Sequence, residues 1–155
     1  MTNDSDDDML QLMMQMLKLA SMISGPMQDE VGAPHSLGTN ELRILMCLGG
    51  EGPMAGHDIT ELMAITPMNV SRAIAGLGAR GLVEPVIDPA NRRRRPVQLS
   101  AQGWQTRGSL TPDLRRIAEQ LLQPLSKNER AGMSKGVGKV IARLEAWHES
   151  HHPHS

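Results

Sequence analysis

The stretch that most constrains this chain runs from Thr66 to Arg80, TPMNVSRAIAGLGAR. Thr66 offers a side-chain acceptor just before Pro67, the arrangement of an N-cap followed by proline in the first helical turn. Val70, Ile74 and Leu77 then recur at helical spacing and bury one face against a small core. The opposite face carries Met68, Asn69, Ser71 and Arg72 near the N-terminal end. An amphipathic helix of this kind is common, and its context decides what it does. Two short helical segments precede it, one closing near Gly49-Gly50 and one over Gly56–Met63, and Ala64-Ile65 turns directly into it. Two short helices joined by a turn of a few residues form a helix-turn-helix unit.

After Arg80-Gly81, a helix-ending signal, LVEPVID and PVQLS read as two short strands. Between them lies DPANRRRR, a turn with proline at its second position and then Arg92, Arg93, Arg94 and Arg95. Pro85 and Pro96 make both strands edge pieces of a small flap. The expected fold is therefore mainly α with a small β-wing, a winged helix-turn-helix domain extended by helices at both ends. Residues 1–36 are expected to form an N-terminal dimerisation helix and loop, 37–100 the DNA-binding domain, 101–149 the C-terminal dimerisation helices, and 150–155 a His-rich tail.

The flanking segments supply those extensions. Residues 1–8 are acidic and expected to fray. From Met9 to Ile23, Met9, Leu12, Met13, Met16, Ala20 and Ile23 form one stripe, widened by Leu10, Met14 and Leu17. So much apolar surface suits a second subunit better than water, with the chain's own core as the alternative. Gly25-Pro26 is expected to end this helix, a loop to continue to about Gly38, and Thr39 to cap the next helix, whose buried side is Leu42, Leu45, Met46 and Leu48. Ser100 caps a helix past Trp104 and Leu110 to about Leu122, with Pro112 expected to kink it near Thr111. Ser126-Lys127-Asn128-Glu129 is a capping box. It opens a last helix with Met133, Val137, Val140, Ile141, Leu144 and Trp147 as its apolar side.

Charge distribution says more than total charge. Formal net charge is −1 over 155 residues. Yet Arg72, Arg80 and Arg92–Arg95 face only Glu84 and Asp88 within the stretch from Arg72 to Arg95, a local excess of four positive charges. A basic patch on a neutral protein suits docking at a defined site on nucleic acid better than bulk attraction. No run of 18 apolar residues exists, and no basic segment precedes an apolar one at the N-terminus, so neither a membrane span nor secretion is expected and the location read is cytoplasmic. The N-terminal stripe has only Lys18 on its polar face, which argues against a membrane-surface helix.

Few other residues offer chemistry. The single cysteine, Cys47, forms no intramolecular disulfide framework and reads as a small buried residue, with a redox-responsive regulator as the alternative. Phe and Tyr are absent while Met numbers 12, so methionine fills volume that aromatics usually take. No nucleophile elbow, zincin motif or phosphate-cradling glycine loop occurs, so no enzyme is expected. His57-Asp58 reads as a solvated polar pair. The terminal HESHHPHS reads as a tail rather than a metal site. No cofactor and no metal are expected.

Taken together, ITPMNVSRAIAGLGARGLVEPVIDPANRRRRPVQLSAQG resembles the MarR family of transcriptional regulators, and the likeness extends from Leu37 to Trp147. Its elements are the Arg80-Gly81-Leu82-Val83 step, the wing from Asp88-Pro89 to Arg95, and the Leu99-Ser100-Ala101-Gln102-Gly103 restart. The resemblance implies a homodimer knitted by its first and last helices, binding a pseudo-palindromic double-stranded DNA operator, usually as a repressor released by a small molecule. The DNA-contacting residues it implies are Thr66, Pro67, Met68, Asn69, Ser71 and Arg72 on the helix and Arg92, Arg93, Arg94 and Arg95 on the wing. Arg93 matches the arginine that enters the minor groove, and neutral Asn91 stands where the family commonly has Asp. Ala55 stands where relatives usually place a Ser or Thr cap. A small apolar or aromatic effector is expected between the second helix near Arg43 and the helix around Trp104–Thr111. The alternative to operator binding is a winged-helix module that binds protein.

Overall fold

The computed structural model describes residues 4–87, 89–90 and 93–151, with the backbone only for Asp4. Asp88, Asn91 and Arg92 of the wing and residues 152–155 of the histidine-rich tail lie outside the described residues, as do residues 1–3. Helices are α1 (Asp4–Met27), α2 (Thr39–Glu51), α3 (Gly56–Met63), α4 (Pro67–Ala79), α5 (Ala101–Leu122) and α6 (Lys127–His151). Strands β1 (Val83–Pro85) and β2 (Val97–Leu99) pair antiparallel, Val83 opposite Leu99 and Pro85 opposite Val97. This is the mainly α fold with a β-wing that the sequence implies. The chain divides into two compact units, Met1–Arg115 and Arg116–Ser155, with the division inside α5.

The core of the first unit is aliphatic: Leu42, Ile44, Leu45 and Leu48 of α2, Ile59 of α3, Val70, Ala73 and Leu77 of α4, and Leu82, Leu99 and Leu110. Ile44 replaces Met46 on the buried side of α2, where Met46 is half-buried. Among the described residues no polar or charged side chain is fully buried. The core is closed by a short backbone bridge absent from the sequence reading. Met54 N–H donates to the Val97 carbonyl (3.0 Å) and Val97 N–H to the Met54 carbonyl (2.9 Å). Both strands are edges of a two-stranded sheet, and at Val97 alone β2 is also bridged to Met54 on its other side.

Three expected helix boundaries move. Gly25-Pro26 does not end α1, which runs through Pro26 and continues as a π-helical turn, Gln28–Gly32, and a 3₁₀ turn, Ala33–His35. Tertiary packing wins here over local breaking: Val31 and Leu37 are fully buried, and the Gln28 amide donates to the Leu37 carbonyl (3.0 Å). A Cβ on Gly32 would collide with that same carbonyl. Thr39 does not cap α2; its hydroxyl donates to Gln28 Oε1 (3.1 Å), and Gly38 is the N-cap without a side-chain bond. Gly49-Gly50 does not stop α2 either. The helix ends at Gly52, whose φ of 86° suits glycine and whose N–H bonds Leu48 O (3.0 Å). Gly49 serves space instead, because the Arg107 side chain of α5 occupies the volume a Cβ would take.

The joint between α4, the wing and α5 is tighter. Leu82 N–H reaches Leu77 O (3.0 Å) and Gly81 N–H reaches Gly78 O (2.9 Å), a Schellman ending with Gly81 at φ 69°. Ser100 then clasps both sides. Its hydroxyl donates to the Gly81 carbonyl (2.5 Å) and accepts from Gly103 N–H (3.0 Å), while its N–H donates to Leu82 O (3.0 Å). Gly103 passes so close to the Leu82 carbonyl that any Cβ there would overlap it.

α1 and α6 contrast with this core. Every described side chain from 5 to 25 is exposed, including Met9, Leu12, Leu17 and Met22, and so is every residue of α6, including Ile141, Leu144 and Trp147. The Ser126–Glu129 capping box opens α6 as expected, with N···O distances of 2.7 and 3.2 Å.

Gly103→Ala is expected to cost about 1–3 kcal/mol through overpacking against Leu82. Gly108→Ala, in open space on the same helix, is expected to gain about 0.5–1 kcal/mol from lower backbone entropy. Urea unfolding at unchanged m-value measures both. A neutral Gly103→Ala would contradict the close approach.

Candidate nucleic-acid interface

α4 forms as its sequence dictates. Thr66 Oγ1 accepts from Asn69 N–H (3.4 Å), Pro67 occupies the first turn, and Val70, Ala73 and Leu77 face the core. That orientation leaves Met68 (70% exposed), Ser71 and Arg72 in solvent, with Asn69 half-exposed. The N-terminal end of α4 thus presents short polar groups, a flexible apolar chain and one cation on a rigid support. Side chains of this kind reach base edges when a helix lies in a major groove.

The wing faces the same helix across a cleft of about 740 Å³. Ser71, Ile74 and Ala75 of α4 line one wall, Arg93, Arg94 and Arg95 another, and His57, Thr60 and Glu61 of α3 a third. A second cleft, about 220 Å³, lies on the other flank of α4, between Asn69, Arg72 and Ala73 and the start of α2 at Gly38–Glu41. Structure therefore brings together α4 and the described wing arginines around one space, as a backbone strand passing between a major-groove helix and a minor-groove wing requires.

Arginines divide by the company they keep. Arg80 donates to the carbonyls of Ser36 (2.8 Å) and His35 (3.0 Å), tying the end of α4 to the α1–α2 linker. Arg43 donates to Met63 O (3.0 Å), closing the C-terminal end of α3 next to Ala64, which adopts φ 50°. Arg94 pairs with Asp58 at 3.0 Å. These three support structure, whereas Arg72 extends from α4.

Asp58, which reads in the sequence as half of a solvated pair, is joined to the wing side of the cleft through Arg94. One of its oxygens accepts from Ala55 N–H (3.0 Å) and from Arg94, and the other lies 3.0 Å from His57 Nε2. It supplies from the third helical position the cap that Ala55 lacks. Partial burial pushes its carboxyl up, but the hydrogen bonds from Arg94 and Ala55 and the neighbouring charges of His57 and Arg94 outweigh that and hold it below the usual carboxylate range. Its signal was available: an acidic residue three positions after a non-capping N-cap.

The residues expected at an effector site are placed as follows. Arg43 is engaged at Met63, Trp104 is half-exposed, and Thr111 is exposed. Neither cleft above is lined by any of them. The Arg107 guanidinium lies 5.6 Å from the Trp104 ring centroid, and its Nε is buried with no hydrogen-bond partner among the described residues. Cys47 Sγ donates to Met54 Sδ (3.7 Å), and burial, then Glu51, raises its thiol pKa. That environment suppresses the reactive thiolate. Among the described residues no three His, Cys, Asp or Glu side chains group as metal ligands, and no helix is long and apolar enough to cross a membrane.

The MarR family model matches residues 37–94. Comparison with curated protein sequences finds no match. The transcriptional regulator BldR from Sulfolobus solfataricus superposes with a TM-score of 0.77 at 23% identity, covering 91% of this chain and 99% of that one. A MarR-family regulator from Silicibacter pomeroyi gives 0.70 at 22%, over 84% and 87%. BpsR from Bordetella bronchiseptica, whose DNA binding is regulated by 6-hydroxynicotinic acid, gives 0.68 at 22%, over 84% and 98%. Residues 37–94 thus match the MarR family model, and over most of its length the chain shares the winged helix-turn-helix fold of these transcriptional regulators.

Proposed function

We propose that this protein is a cytoplasmic, homodimeric, sequence-specific DNA-binding regulator, not an enzyme, that represses from a pseudo-palindromic operator and is released by a small molecule. The observation that carries the reading is the cleft with Ser71, Ile74 and Ala75 of α4 on one wall and Arg93, Arg94 and Arg95 on another. Thr66, Pro67, Met68, Asn69, Ser71 and Arg72 address the major groove. Arg93 and its neighbours, Arg92 included, address phosphates and the minor groove, where narrow A·T-rich tracts concentrate negative potential. Arginines lining a cleft have no comparable use in a protein-binding wing. Dimerisation is supported by the apolar side chains that α1 and α6 leave exposed, more surface than a monomer ordinarily leaves in water.

A rigid helix and a hairpin tip contribute differently to binding. Arg93→Ala is expected to weaken binding to every duplex and to reduce the salt slope by about one per lost phosphate contact on each subunit. Arg72→Ala or Asn69→Ala is expected to cost roughly 1–3 kcal/mol per half-site on cognate DNA and much less on random DNA. Titrations across a salt series, with a footprint on the upstream region of its own gene, measure both. The footprint of a dimer shows two half-sites with centres about one helical turn apart. Helix variants that weaken cognate and random DNA equally would remove α4 as the reader.

The effector reading is supported by the half-exposed Trp104 with the Arg107 guanidinium beside it, a pairing suited to an aromatic acid, and by the ligand response of the BpsR neighbour. The proposed site lies between α2 near Arg43 and α5 around Trp104–Thr111. The effector biases the dimer away from the spacing DNA requires by about 1–3 kcal/mol. Phenolic and heteroaromatic acids are expected to raise Tm and release operator DNA, with both effects lost in Trp104→Ala. Release by peroxide that depends on Cys47, with no acid active, would replace this reading with a redox one.

A further inference from the structure

Arg94, on the wing side of the cleft, is held by a carboxylate of α3. Arg94 Nη2 lies 3.0 Å from Asp58 Oδ2. Asp58 is itself fixed, accepting from Ala55 N–H and lying beside His57, with its side chain only 16% exposed. Four residues before Asp58 and three after Arg94, the Met54–Val97 bridge joins the same two segments through two backbone bonds. The wing is thus fastened to the start of α3 at two points, one through backbone and one through side chains. Between them Arg95 adopts φ 46°, a left-handed conformation that a non-glycine residue holds only where its surroundings over-determine it.

We propose that Asp58 is a positioning residue for DNA binding, holding the wing through Arg94 at the angle to α4 that lets one strand of DNA pass between them, and that Arg94 is spent on this latch rather than on phosphate. The inference rests on the DNA-binding reading and refines it. A guanidinium already neutralised by a carboxylate releases no counterion when DNA arrives, so it adds nothing to the salt slope. Its removal still weakens binding, because the wing then samples angles at which Arg93 and α4 cannot engage together. The partner selected is duplex DNA of regular groove spacing. The latch sets how far apart the helix contact and the wing contact fall along it.

The test uses the full-length protein and a duplex from the upstream region of its own gene, with Arg94→Gln, Asp58→Asn, the double variant and Arg93→Gln compared across a salt series. Asn retains an acceptor for Ala55 N–H, so the cap of α3 survives in Asp58→Asn, and thermal melts confirm folding. Arg94→Gln and Asp58→Asn are each expected to weaken binding roughly tenfold, and the double variant no further, as for two halves of one contact. The slope stays at its wild-type value for Arg94→Gln and falls for Arg93→Gln. Hydrogen exchange without DNA supplies an independent readout: the Val86 and Val97 amides, which bond Pro96 O and Met54 O, are expected to exchange faster in both single variants. A slope lowered by Arg94→Gln, additive losses in the double variant, or unchanged exchange at Val86 and Val97 would each overturn the latch. Failure of the wild type to bind any duplex would instead overturn the DNA-binding reading, and the exchange data would still decide whether the latch holds the wing.

Discussion

The contact on which the rest of the structure depends is the approach of Gly103 to the Leu82 carbonyl, clasped by Ser100. Three segments meet there: the end of α4, the first wing strand and the start of α5. Ser100 contributes its hydroxyl to Gly81 O and Gly103 N–H and its own N–H to Leu82 O. The Gly81 turn, at φ 69°, aims β1 away from α4 without a gap in the hydrogen bonding. A side chain at Gly103 would push α5 off Leu82 and, with it, β2 off β1. The root of the wing keeps a fixed relation to the recognition helix because this joint binds Gly81, Leu82, Ser100 and Gly103 together, and the rest of the wing depends on the contacts beyond it.

Fixed geometry changes the meaning of the charge pattern. A sequence count assigns six arginines to the stretch from Arg72 to Arg95, but Arg80 holds the α1–α2 linker and Arg94 holds Asp58. The positive charge offered to DNA is smaller than the count and better placed. This suits a protein of net charge −1, for which nonspecific attraction is weak and affinity must come from contacts that coincide in space.

Much of this was legible in the sequence because the signals are local. Thr66-Pro67, Ser126–Glu129, Arg80-Gly81 and the Leu-Ser-x-x-Gly restart each encode a cap or turn within five residues, and all appear where expected. What the sequence reading missed depends on contacts between distant residues. Gly25-Pro26 lies inside a helix because Val31 and Leu37, beyond it, are buried. Gly49 looked like a helix stop and is a space for Arg107, 58 positions later in a different helix. Thr39 carries the composition of a cap, yet Gln28 takes its hydroxyl. His57-Asp58 reads as solvated until the wing returns with Arg94. The match of Met54 to Val97 leaves no trace in either segment's own pattern.

The central claim is that α4 and the wing straddle one DNA strand, with α4 in the major groove and the wing in the adjacent minor groove. Affinity cleavage tests it most directly. In a Cys47→Ser background, an iron chelate attached through Ser71→Cys on α4 or through Ala90→Cys on the wing cuts the sugars nearest to it. The account predicts major-groove cleavage patterns from Ser71→Cys and minor-groove patterns from Ala90→Cys, displaced from each other by about half a helical turn, roughly five base pairs, in each half-site. Coincident cutting from both positions, or cutting from the wing alone, would contradict it.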